Sequence, residues 1–141
     1  GKIYVIDDYR NVRGEEFYEG GQKTGRVKLY YDNGVLREET IYAAGKVVQK
    51  KEFFNTGDLH IAEDLRDARS IPGERETGAG KVYYPDGKVR YEWNQTRSNP
   101  RGFKKAYDAN GRLVQEIFLN ERGQVIEIIE NGVTVFPEPK K

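Results

Sequence analysis

The sequence predicts an all-β fold of tandem antiparallel β-hairpins, forming a single or shallowly curved sheet of about ten to twelve strands. Three observations carry this reading. Runs of strand length alternate apolar with polar residues. Each run closes on a small polar turn that ends in glycine. The turn recurs along all 141 residues, at Gly21, Gly34, Gly57, Gly87, Gly111 and Gly132, with further turns midway at Gly45 and Gly123. Self-similarity at roughly two dozen residues marks a repeat array, in which each hairpin buries its face only against its neighbours.

Composition supports an open sheet over a closed core. Hydrophobic residues make up 36% and charged residues 33% of the chain, whereas an average globular domain is roughly 45–50% apolar. Ten Tyr and six Phe supply much of the apolar area. A net charge of +1 gives no global attraction to nucleic acid or acidic lipid. The absence of Cys excludes disulfides, thiol catalysis and zinc–thiolate sites, and leaves the redox compartment open. No apolar run approaches the roughly 18 residues of a membrane-spanning helix. A start on Gly1-Lys2-Ile3 fits a tag remnant or a processed chain, so the compartment stays open: cytoplasmic, or periplasmic or cell-surface if an upstream signal peptide has been removed.

The elements follow in order. Lys2 to Ile6 is a first strand ending at Asp7-Asp8, and Tyr18-Glu-Gly-Gly21 closes a degenerate first copy. The stretch Gly25–Gly57 is the clearest, two strands meeting at Asp32-Asn33-Gly34. Asn-Gly at that point suggests a type I′ turn, which needs positive φ at two residues. Later copies turn at Phe54-Asn-Thr-Gly57, Tyr84-Pro-Asp-Gly87, Tyr107-Asp-Ala-Asn-Gly111 and Ile129-Glu-Asn-Gly132. Residues 68–80 read as an irregular insertion within one repeat domain, 1–136, and 137–141 as an extended tail. His60 to Ser70 continues the strand pattern, with a short helix as the alternative, since Ile61, Leu65 and Ala68 fit a helical face. Asn94 to Gly102 is a polar loop. Val114–Leu119 and Val125–Ile129 are the most apolar strands, expected to bury both faces or to meet a partner.

Strand alternation sorts the doubled aromatics. Tyr31, Phe54, Tyr84 and Tyr107 form one set, continued by Ile129, and are expected at equivalent sites on one face. Tyr30, Phe53 and Tyr83 stand on the other face, and alternation adds Lys28, Lys51, Arg90 and Lys105 to them. Those seven are the candidate partner-binding residues, because an extended repeat face binds macromolecules and Tyr and Arg are frequent interface anchors.

Gly25 to Glu38, Gly80 to Glu92 and Gly102 to Glu116 share a pattern of glycine, aromatic-Tyr, Asp/Asn-Gly and a following Glu. It resembles the bacterial variant of the MORN repeat, and Tyr42-Ala-Ala-Gly45-Lys matches that family's second hairpin half. The resemblance implies an elongated, twisted sheet of consecutive hairpins. It also implies a non-catalytic protein-binding role, with many bacterial members being antitoxins or immunity proteins that neutralise a toxin. Exported scaffolds at the envelope or on a membrane surface are the alternative it offers.

Catalysis, cofactors and metals are not expected. The single histidine, His60, lies in a strand. Asp7 and Asp8 read as a strand-terminating turn, and on a strand two adjacent residues would point to opposite faces and form no acid–base dyad. Asp108-Ala-Asn110-Gly111 lacks the downstream Glu of a calcium loop and matches the hairpin turn. Small basic groups such as Lys50-Lys51 and Lys104-Lys105, interleaved with aromatics, would suit single-stranded nucleic acid. The carboxylates are equally interleaved, so cross-strand ion pairs explain both signs better and leave nucleic acid the lesser reading. No small-molecule substrate is expected; the expected partner is a protein.

Overall fold

The computed structural model describes residues 2–6, 12–69 and 77–138. Asp7-Asp8, most of the 68–80 stretch and the end of the tail lie outside the described residues. What is described is all-β, with thirteen strands and no helix. The chain forms two compact units, Gly1–Glu63 and Asp64–Lys141.

In the first unit the strands are β1 (Lys2–Ile6), β2 (Val12–Glu19), β3 (Gln22–Lys23), β4 (Gly25–Tyr30), β5 (Leu36–Ala43) and β6 (Lys46–Phe53). They run β1-β2-β4-β5-β6, each antiparallel to the next, with β3 paired to β2. β7 (Leu59–Arg69) carries the chain from this unit into the next. The second unit continues with β8 (Thr77–Tyr83), β9 (Val89–Asn94), β10 (Phe103–Tyr107), β11 (Leu113–Leu119), β12 (Val125–Glu130) and β13 (Val133–Phe136), in that order and antiparallel throughout.

β7 settles the described part of the 60–70 segment, through Arg69, as strand. The helical spacing of Ile61, Leu65 and Ala68 is real, but these residues also fit an extended chain hydrogen-bonded to neighbours, and sheet pairing outweighs weak local preference. Ala68 and Arg69 end β7 and residues 77–80 open β8, so the described ends of the expected insertion are regular strand.

The turns come in two kinds. Gly20-Gly21, Ala44-Gly45 and Asn131-Gly132 are two-residue turns with both residues at positive φ, the geometry of type I′. The remaining turns have one positive φ, at Gly34, Gly57, Gly87, Gly111 and Gly123. At Gly34 the amide bonds to Tyr31 O (2.9 Å), and Tyr31 N bonds to Val35 O (2.8 Å). The same pair of bonds recurs around Phe54, Tyr84, Asp108 and Asn120. This is a type I turn followed by a left-handed glycine bulge. The type I′ expectation for Asp32-Asn33-Gly34 is therefore corrected, since Asn33 is not at positive φ. The reason is visible in a sister copy: Pro85 has φ fixed near −65°, which suits the first central residue of type I and forbids I′.

The turn bonds also correct the register of the last aromatic. The residue three before the glycine is Tyr31, Phe54, Tyr84 and then Asp108, not Tyr107. Tyr107 pairs with Leu113 as Tyr30 pairs with Leu36 and Tyr83 with Val89. The four aromatics expected as one equivalent set are thus three, and Tyr107 joins the Tyr30 set.

Little is fully buried. Among the described residues only Val27 and Leu119 are buried apolar side chains, joined by Thr40, Gln95 and Thr96. Most strand positions are half-exposed. Val114–Leu119 and Val125–Ile129, expected to bury both faces or to meet a partner, do not bury both: Leu119 is buried, but Val125 and Ile126 are exposed, as are Val133, Val135 and Phe136 of β13. Each of these exposed residues lies at the end of the strand order, and no described element packs over them.

The polar 95–102 loop is pinned rather than free. Ala68 bridges to Thr96, Arg97 N donates to Asp67 O (3.0 Å) and Arg69 Nη1 donates to Pro100 O (2.8 Å). Buried Gln95 reaches Pro100 O and Asn120 O with one amide, so the buried polar groups are satisfied.

Candidate functional site

In the first unit, cross-strand register places Glu15, Lys28, Glu39 and Lys51 in one row. Tyr30 and Phe53 follow Lys28 and Lys51 by two residues and share their face by alternation. Arg26 bonds Glu39 at 3.9 Å across the same face. Lys28, Tyr30 and Phe53 are half-exposed and Lys51 is exposed. The opposite face of this unit holds Val27 and Thr40, a Glu38–Lys50–Glu52 ion-pair group at 3.6–3.7 Å, and Lys23 against the rings of Tyr18 and Tyr42.

The second unit repeats the row as Lys81, Glu92, Lys105 and Glu116. Lys105 sits 4.7 Å from the Phe103 ring and 3.9 Å from Glu116. Tyr107 donates its hydroxyl to Glu92 on this face. That bond, followed by burial, pushes the Tyr107 phenol up to about 12. Tyr83 belongs to the same row set by alternation. Arg90 does not sit with it. It is the extra residue where the register shifts between Val82 and Tyr83, and its guanidinium lies over the rings of Tyr84 and Tyr91, at 5.6 and 5.2 Å. The seven candidates therefore form two groups: Lys28, Tyr30, Lys51 and Phe53 in one unit, and Tyr83 and Lys105 in the other, with Arg90 stacked apart.

Alternating charge along each row accounts for the interleaved signs in the sequence: opposite charges face each other across neighbouring strands. These pairs are solvent-accessible and individually worth little, about 0–1 kcal/mol.

The tyrosines of the first set do something alternation does not reveal. Tyr31 donates its hydroxyl to Phe53 O (2.5 Å), and Tyr84 donates to Tyr107 O (2.8 Å). In both copies the hydroxyl reaches the residue just before the corresponding turn of the next hairpin. Phe54 occupies this position without a hydroxyl and instead stacks on His60, centroids 4.2 Å apart. The one histidine is thereby engaged in packing.

The turn carboxylates are also occupied by the fold. Asp108 Oδ1 accepts from Arg112 N (3.0 Å) and Asn110 N (2.9 Å), which holds its pKa below the usual carboxylate range, the Arg112 amide first. Hydrogen bonding from Ser98 lowers Asp67, and Arg66 lowers Asp64. A depressed folded pKa contributes stability above the unfolded-state value, about 3.9 for Asp, that is lost as pH falls through the folded value. Stability should therefore be flat near neutrality and decline below about pH 4. Asp108→Ala, followed by urea denaturation at several pH values, should flatten part of that acid limb; an unchanged limb would assign it to other carboxylates.

A family model described as "MORN repeat variant" matches residues 23–44 and 76–95. This chain carries MORN-variant repeats. The matched segments hold the Tyr31–Gly34 and Tyr84–Gly87 turns with their two tyrosine hydroxyl bonds. The Asp108 and Asn120 turns extend the same hairpin geometry beyond the matched segments. No curated protein matches the chain. Among solved structures, one titled "Crystal structure of GtfA/B complex bound to UDP and GlcNAc" aligns at 13% identity with a TM-score of 0.27, covering 91% of this chain and 22% of that one. The chain thus spans under a quarter of the length of that structure's chain.

Proposed function

We propose that this MORN-variant repeat protein is a non-catalytic binder whose partner is another protein. The observation that carries the reading is the strip of Lys28, Tyr30, Lys51 and Phe53, half-exposed or exposed on one face of the first unit. Aromatic and cationic side chains on an extended face suit a protein surface better than a small substrate, because the contacts are spread along strands. Engagement of His60 with Phe54 and of Asp108 with its own turn supports a structural use for the residues that catalysis or a metal would require.

The narrower form is an antitoxin or immunity protein, with a toxin as the partner. It is tested with the protein encoded beside the gene: purified binding by calorimetry, and rescue of growth on co-expression. Tyr30→Ser with Lys51→Glu should abolish both while leaving the melting temperature nearly unchanged, since Lys51 is exposed and the half-exposed Tyr30, unlike Tyr84, makes no hydroxyl bond or ring contact among the described residues. Tight binding that survives the double variant, or a fall of several degrees in melting temperature, would move the site elsewhere. Binding to anionic vesicles or to oligonucleotide, falling steeply with salt, would replace the protein-binding reading.

A further inference from the structure

The chain contains three Asn-Gly pairs, Asn33-Gly34, Asn110-Gly111 and Asn131-Gly132, and their surroundings differ. We propose that Asn131 is a site of spontaneous covalent modification, deamidation through a succinimide, and that the fold protects the other two.

The chemistry needs no cofactor. The Gly132 backbone nitrogen attacks Asn131 Cγ, a C–N bond forms, and the side-chain nitrogen leaves as ammonia. Water then opens the five-membered imide at either carbonyl, giving aspartate or isoaspartate. Glycine favours the step because no side chain shields its nitrogen. Hydrogen bonding of that nitrogen, or of the asparagine amide, opposes it by holding the groups out of reach.

At Gly34 the nitrogen donates to Tyr31 O (2.9 Å). Asn33 is held twice, accepting from Val35 N at 3.0 Å and donating to Asn55 O at 3.2 Å. At Gly111 the nitrogen donates to Asp108 O (3.0 Å), and Asn110 N is held by Asp108 Oδ1 (2.9 Å). Both pairs sit in the bulged turn, where the glycine amide closes the loop. Asn131-Gly132 is the two-residue turn, with φ of 48° and 80°. In that geometry the turn is closed by the flanking pair Glu130 and Val133, so the glycine amide points outward. Among the hydrogen bonds of the described residues, Gly132 N and the Asn131 side chain take no part; only Asn131 N is engaged, with Val114 O at 2.9 Å. Both residues are exposed. The bulged turn thus occupies the glycine amides of Gly34 and Gly111, and the two-residue turn at Asn131-Gly132 does not occupy that of Gly132.

The product has a structural effect. Isoaspartate inserts an extra backbone carbon into a two-residue turn, and either product adds a carboxylate next to Glu130. Among the described strands β13 is hydrogen-bonded only to β12, so it should loosen when its turn lengthens.

The full chain, incubated at mildly alkaline pH, is digested and mapped by mass spectrometry that resolves isoaspartate. Asn131 should convert at least several-fold faster than Asn33 and Asn110, while in denaturant all three should convert at similar rates. Hydrogen exchange in β13 should rise with the isoaspartate fraction, and an Asn131→Asp chain, which keeps the normal backbone, should keep β13 protected. Equal rates in the folded chain, a faster Asn33 or Asn110, or an Asn131 that stays intact while the denatured chain reacts would each overturn the assignment.

Discussion

Gly80→Ala should lower stability by about 2 kcal/mol, as overpacking typically does. A methyl at this position would stand 2.3 Å from Trp93 Cζ2 and 2.7 Å from Cε2. Gly80 pairs directly with Trp93 across the sheet, so the indole ring occupies the space a side chain would take and must move. Gly80 is not at positive φ, so alanine fits the backbone itself. In an open strand the same change would stabilise by roughly 0.5–1 kcal/mol, and the sign of the result therefore reports on the ring. Trp93 is the one tryptophan, and its emission should shift with the substitution. Urea denaturation followed by fluorescence reads both quantities. A stabilised variant with unchanged emission would show that the ring does not cover Gly80.

Tyr84→Ala should cost about 3 kcal/mol, the low end for a large aromatic because the ring is only half-buried. Tyr84→Phe should cost about 1 kcal/mol, the value of a hydroxyl bond whose acceptor is left unpaired. The difference separates the ring, with Arg90 on it, from the bond to Tyr107 O. Tyr31→Phe should behave like Tyr84→Phe, as its hydroxyl makes the corresponding bond to Phe53 O. If both phenylalanine variants match the parent in denaturation, the hydroxyl link between hairpins contributes nothing.

The hairpin order was legible because the turn glycines sit where only glycine is comfortable, and every predicted one lies at positive φ. Turn class was less legible. Asp32-Asn33-Gly34 contains the Asn-Gly of a two-residue turn, yet the bulged form wins by adding a third loop residue. Counting back from each glycine, instead of aligning aromatics, would have placed Asp108 rather than Tyr107 beside Tyr84. The candidate face divides along the same line. Lys28 with Tyr30, and Lys51 with Phe53, lie within single strands where alternation holds. Arg90 lies at a bulge, where the register slips by one residue and alternation loses its meaning. Contacts such as Gly80 under Trp93 or Gln95 reaching Asn120 cross from one stretch of chain to another, and neither residue carries a local signal of its partner.

The scarcity of buried side chains has an evolutionary consequence. When the fold is specified by turn glycines and backbone ladders, most side chains on either face make few contacts that a substitution can ruin, and exposed changes usually stay within about 0.5 kcal/mol. Such a sheet can rewrite its faces residue by residue while keeping its hairpins. Descendants of one ancestral array can then diverge in what they recognise faster than in how they fold, with the turns as the last positions to change.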